Sequence, residues 1–127
     1  MKDFVEIIRE VEKETSKNKG EYELFALFLR ENSSNKWDIL VSADWIILDK
    51  LKALRYLAKK IKQKLEHKDL TKISRIVIIE EDNPALLALQ NAIKVEHGKT
   101  EIKDSNFFGL QIKHAYIFTS KRKEPVA

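Results

Sequence analysis

Apolar residues recur at helical spacing from the start of the chain. Phe4, Ile7, Ile8 and Val11 share one side, with acids and lysines on the other, which predicts an amphipathic helix over residues 3–15. The polar stretch from Thr15 to Lys19, closed by Gly20, ends it. Residues 22–30 are apolar at nearly every position. Their length and aromatic content predict a strand rather than a buried helix. Residues 31–36 are a polar turn, and residues 37–43 predict a second strand, pairing with the first as an antiparallel hairpin.

The longest periodic segment is 45–66. Ile47, Leu51, Leu54, Ala58, Ile61 and Leu65 fall on one helical stripe, which predicts a single helix laid on a sheet and capped by Asp44 or Asp49. A coiled-coil seam is the alternative, but the stripe covers only about three heptads and nothing in it specifies a partner. Residues 73–79 are rich in isoleucine and predict a strand buried on both faces, as parallel strands under helices are. Glu80, Glu81 and Asp82 close that strand. Asp82 or Asn83 then caps a helix with Pro84 in its first turn and Leu86, Leu89 and Ile93 as its apolar stripe.

In the last third, Leu110, Ile112, His114, Tyr116 and Phe118 alternate with Gln111, Lys113, Ala115 and Ile117, the period of a strand. Residues 94–103 supply another, with a turn near His97-Gly98. The predicted order is αββαβαββ: a mixed α+β fold with three helices on a mixed sheet of about five strands. The strand, long helix and strand in succession predict a right-handed parallel crossover. Residues 1–120 read as one α/β domain and residues 121–127 as a flexible tail.

Composition narrows the chemistry. With 127 residues the chain can bury roughly two thirds of its unfolded surface without a staple. It has no cysteine, which removes disulfides, thiol nucleophiles and thiolate metal sites and fits a reducing cytoplasm. The acidic N-terminal segment does not resemble a secretory signal, and no apolar run approaches the ~20 residues of a membrane span. The expected location is cytoplasmic, with no membrane partner. The three glycines are isolated, so neither a dinucleotide fingerprint nor a Walker loop can be written.

The net charge of +4 matters only where it is concentrated. The segment from Lys50 to Arg75 is crowded with cations and holds only Glu66 and Asp69 against them. Lys52, Arg55, Lys59 and Lys62 form one flank of the expected helix, with Tyr56 opposite the apolar stripe. Cations that bind phosphate beside an aromatic that stacks on a base would suit nucleic acid. The same lysines also suit a plainly solvated helix face.

Acids gather at strand ends. If the second and third strands are parallel, Asp44 and the run Glu80, Glu81 and Asp82 leave the same sheet edge, where α/β folds place ligands. Converging carboxylates could hold Mg²⁺; the simpler reading makes them helix caps and dipole partners. A nuclease-like combination of a strand acid, Asp38, with Glu101-Ile102-Lys103 is also present, but such a short pattern arises by chance in a chain rich in Glu and Lys.

His67, His97 and His114 form no local metal pair. His67 reads as a solvent-facing helix end, His97 as a turn residue and His114 as a core histidine with one hydrogen bond. Trp37 and Trp45 read as core packing, Trp45 alternatively as a partner surface.

The leading expectation is a small non-catalytic binding or regulatory module with a basic helix face. It would take no cofactor and would act on a protein partner or as a homodimer, with nucleic acid as a further candidate. The alternative is a divalent-metal phosphodiesterase or nuclease using the clustered carboxylates.

Overall fold

In the computed structural model, which describes residues 3–122, the central strand is the apolar run near the start of the chain. Its first five positions, Leu24 to Phe28, are all buried because helices cover the sheet on both sides of it. The elements are α1 (Phe4–Lys19), β1 (Leu24–Arg30), β2 (Trp37–Ser42), α2 (Asp44–Leu48), α3 (Lys50–Lys64), α4 (His67–Leu70), β3 (Ile73–Ile78), α5 (Pro84–Ala92), β4 (Thr100–Phe107) and β5 (Leu110–Ser120). The sheet order is β3-β2-β1-β5-β4. Only the β2–β3 pair is parallel; the β1–β2 hairpin and the other pairs are antiparallel. The fold is therefore the expected mixed α+β class with a five-stranded mixed sheet, carrying five helices instead of three because two short ones flank α3.

Side-chain alternation sorts the core into two clusters. On one face, Phe4, Ile8 and Val11 of α1 and Ala53, Leu57 and Ile61 of α3 pack on Phe25, Leu27, Ile39, Val41 and Phe118. On the other, Leu86 and Leu89 of α5 pack on Leu24, Ala26, Phe28, Leu40, Ala115 and Ile117.

The segment 45–66 is not one helix. It breaks at Asp49, whose backbone leaves the helical region (φ −154°, ψ 88°) while its carboxylate accepts from Lys52 N at 3.1 Å and caps α3. The break resets the inward face. Ala53, Leu57 and Ile61 are buried, whereas Leu51 of the expected stripe is 59% exposed and Leu48 is 86% exposed. The parallel crossover survives the break, because Ile61 and Leu65 still anchor the end of α3 in the core.

Three further expectations change. Residues 73–79 are an edge strand, with Ser74 and Arg75 exposed; the doubly covered strand is β1. The strand expected within 94–103 starts at Thr100 and continues to Phe107. It turns through Phe108 and Gly109, both at positive φ (55° and 72°), as a two-residue hairpin requires. The alternation of β5 is also broken. Leu29 pairs with His114 and Arg30 with Ile112, so Lys113 bulges out and Ile112 turns to the α5 face, away from His114, Tyr116 and Phe118.

Gly20 ends α1 at φ 135°, a conformation that side chains rarely adopt. Its carbonyl accepts from Trp45 Nε1 at 3.0 Å, and a Cβ at this position would stand 3.2 Å from the same ring. Trp45 thus serves as half-buried packing against Tyr22 and Tyr56, and Trp37 packs against Phe4, His114 and Tyr116. Of the segment read as a tail, residues 123–127 lie outside the described residues. Lys121 is tied in by its backbone, donating to Glu23 O at 3.1 Å and accepting from Gln90 Nε2 at 2.9 Å.

Candidate functional site

The chain order places several acids on one sheet edge. β2 and β3 run parallel and end there, β1 starts there, and β5 returns to it: Leu24 pairs with both Ser42 and Ser120. Asp44 leaves β2, Glu81 follows β3 and Glu23 precedes β1. One carboxylate oxygen from each comes within 4.8 Å of the others. Two of the sequence candidates, Asp44 and Glu81, therefore converge. Glu80 does not, because its carboxylate pairs with Lys50. Asp82 is exposed and lies outside the cluster.

Asp44 is not a cap but the first residue of α2, behind an Ala43 cap, where its charge complements the helix dipole as the simpler reading expected. The caps are Asp49 for α3 and Asn83 for α5, the latter accepting from Ala85 N at 2.9 Å. The third member, Glu23, is buried and was not singled out from sequence. Its signal was there: it is a charge at the head of an otherwise apolar run.

A groove of about 820 Å³ runs along this edge. It is lined by Glu21, Glu23, Asp44, Trp45, Glu96 and Lys121, among others. A second polar group borders it. His97, held at φ 51°, points Nδ1 at the fully buried carboxylate of Glu12 (2.9 Å) and Nε2 at Glu21 (3.3 Å) and Glu96 (3.9 Å). Thr119 Oγ1 donates to Glu12 at 3.1 Å and accepts from the His97 backbone N–H at 3.1 Å. Lys121 Nζ reaches Glu21 at 3.0 Å and Glu96 at 2.8 Å.

Partial burial pulls the His97 imidazolium pKa down, but the carboxylates of Glu12, Glu21 and Glu96 outweigh it and leave the value above the ordinary one. The hydrogen bond from Lys121 holds the carboxyl of Glu21 below its usual range. This group, too, escaped sequence reading, since Glu12 and His97 are 85 positions apart.

The second candidate surface is the outer side of α3. Lys52, Arg55, Lys59 and Lys62 are all exposed, and among the described residues none of them forms an ion pair. Their neighbours in the basic run are neutralised: Lys60 and Lys64 by Glu14, Lys68 by Glu66, Lys72 by Asp69 and Arg75 by Asp38. A shallow depression of about 450 Å³ lies between Arg55, Ala58, Lys59 and Lys62.

Tyr56 does not stand free beside these cations. It is half-buried against the core, edge-on to Trp45 and faced by Lys19 at 4.8 Å, and its hydroxyl accepts from Asn18 Nδ2 at 3.4 Å. The expected stacking platform is therefore only partly open: the ring lines a depression of about 330 Å³ with Lys19, Trp45 and Lys52. Leu51 lies in its place on the outer face, one turn before Arg55.

The chain matches no protein-family model, no curated protein and no solved structure.

The nuclease-like combination does not assemble. Asp38 lies on β2 and Glu101 on β4, with β1 and β5 between them and their side chains on opposite faces. Asp38 is buried and bound by Arg30 Nε at 2.7 Å and Arg75 Nε at 3.3 Å. Glu101 is held by His114 Nε2 at 2.6 Å and by Tyr116. These hydrogen bonds, His114 first, keep its carboxyl below the usual range. His114 is thus a half-buried partner of an exposed acid, with its ring tilted against those of Trp37 and Tyr116. His67 is exposed at the start of α4. Among the described residues no helix is long and apolar enough to cross a membrane.

Proposed function

We propose that this chain is a non-catalytic binding module of the cytoplasm that docks an acidic partner protein on the outer face of α3. The observation that carries the reading is the row Lys52, Arg55, Lys59 and Lys62, exposed and without carboxylate partners among the described residues, next to the exposed Leu51. Cations with no internal partner raise the local potential and steer an anionic surface to the face. An exposed leucine in the same row adds apolar area that a phosphate backbone does not use and an amphipathic acidic helix does. With Tyr56 half-buried and engaged by Trp45 and Lys19, the stacking contribution that favours nucleic acid is reduced on this face. Two copies meeting through this face about a two-fold axis would oppose like charges, so the partner is a different chain.

The test is a binding titration with three probes: an amphipathic Glu/Leu helical peptide, poly-glutamate and a single-stranded oligonucleotide, each at two salt concentrations. The peptide should bind tightest and weaken with salt. Joint replacement of Lys52, Arg55, Lys59 and Lys62 by glutamate should abolish its binding. Preference for the oligonucleotide, or indifference to the charge reversal, overturns the reading.

A divalent-metal phosphodiesterase is the second reading, favoured by the approach of Glu23, Asp44 and Glu81 to within 4.8 Å at the end of the parallel strands. Under it, millimolar Mg²⁺ raises the melting temperature, and Asp44→Asn or Glu81→Gln removes both that rise and any hydrolysis of an activated phosphodiester. An unchanged melting temperature in Mg²⁺ and Mn²⁺ eliminates it.

A further inference from the structure

We propose that Glu21, Glu96 and His97 form a zinc-class metal site at the mouth of the groove. The donor set is two carboxylates and one imidazole, and one donor atom from each lies within 4.8 Å of the others. Donors held about 2.0–2.2 Å from a tetrahedral zinc stand roughly 3.3–3.6 Å apart. His97 Nε2 lies 3.3 Å from the Glu21 carboxylate and 3.9 Å from that of Glu96, so small side-chain rotations suffice.

The observation that points beyond an ordinary ion-pair cluster lies behind the ring. Nδ1 faces a carboxylate with no solvent exposure, Glu12, which is itself fixed by Thr119. A hydrogen bond from Nδ1–H to a buried carboxylate sets the tautomer that offers the Nε2 lone pair, the arrangement that orients metal-binding histidines. Glu12 is in this sense a positioning residue; it does not reach the metal position.

Lys121 now bridges Glu21 and Glu96 and would compete with a metal. Its side chain is 31% exposed and can swing into the solvent at the open end of the groove. Three protein donors leave a fourth position for water or for an atom of a docked molecule. Imidazole and carboxylate together suit Zn²⁺ better than Mg²⁺, which separates this site from the all-carboxylate cluster at Glu23, Asp44 and Glu81.

The test is calorimetric titration of the full chain with ZnCl₂, paired with the visible absorption of Co²⁺, which reports imidazole ligation and coordination number. His97→Asn, which keeps a residue tolerant of positive φ, should abolish the tight phase, as should Glu21→Gln combined with Glu96→Gln on exposed side chains. Glu12→Gln should weaken binding about tenfold or more while leaving the Co²⁺ spectrum recognisable. Lys121→Met should strengthen binding, and Asp44→Asn should leave it unchanged. Wild-type affinity no better than that of the Glu21/Glu96 double variant, or weaker binding on Lys121→Met, would show only an ion-pair network and overturn the proposal.

Discussion

The phenol oxygen of Tyr22 lies 2.7 Å from Oγ1 of Thr15, in a contact that water does not reach. Thr15 gives its own hydroxyl proton to Val11 O at 2.7 Å, so the Tyr22 O–H is the donor between the two. Burial pushes the Tyr22 pKa up, and the hydrogen bond to Thr15 only partly offsets it. The unfolded phenol ionises near pH 10, whereas the folded one keeps its proton well above that. Below about pH 10 both states are protonated and the contribution to stability is complete. Above it the unfolded state holds fewer protons, so stability falls as pH rises. Denaturant midpoints at pH 9 and 11 should therefore drop more steeply in wild type than in Tyr22→Phe. The variant should also lose about 1 kcal/mol at neutral pH. Equal slopes would refute the assignment.

Leu57 and Leu51 differ in stability cost although they share one helix. Leu57 is 1% exposed in the core beneath α3, and Leu51 stands in solvent. Leu57→Ala should cost about 2–5 kcal/mol in urea unfolding, and Leu51→Ala less than about 0.5 kcal/mol. The reverse ranking would restore the stripe expected from spacing alone.

Asp38 predicts an asymmetry among its partners. Arg30 and Arg75 retain solvent contact, whereas the carboxylate between them is buried. Replacing both arginines by methionine strands that charge and should cost about 3 kcal/mol or more. Asp38→Asn leaves cations that can turn to water, and should cost less. Thermal or chemical unfolding of the two variants measures the difference.

Gly20→Ala should destabilise by about 1–3 kcal/mol, because φ 135° strains any side chain and the new methyl presses on Trp45. Trp fluorescence gives a second readout: it should shift if the ring moves to make room. A neutral substitution with unshifted emission would contradict the close approach.

Much of the fold was legible because it is written in short-range periodicity. The amphipathic start, the hairpin of β1 and β2 and a cap at Asp82 or Asn83 depend on residues close together in the chain, and the parallel pairing of β2 with β3 follows from the order strand, helix, strand. The inward face at the start of α3 was not: the break at Asp49 puts Ala53 and Leu57 inward and Leu51 outward, while Ile61 and Leu65 keep the place the spacing gave them, and spacing alone does not show where a helix is interrupted. The bulge at Lys113 hid the face of Ile112 for the same reason.

For the sites, residue types along the chain determined that a basic helix face and a set of strand-end acids exist. Tertiary structure decided which of them matter together. It left Lys52, Arg55, Lys59 and Lys62 bare while half-burying Tyr56, joined Asp44 and Glu81 to Glu23, and drew Glu80 away to Lys50. It also brought His97 onto Glu12 from 85 positions away. The physical reason is that charge and burial act through space: a local pattern fixes the direction of a side chain within its element, and only the packing of elements fixes what it meets.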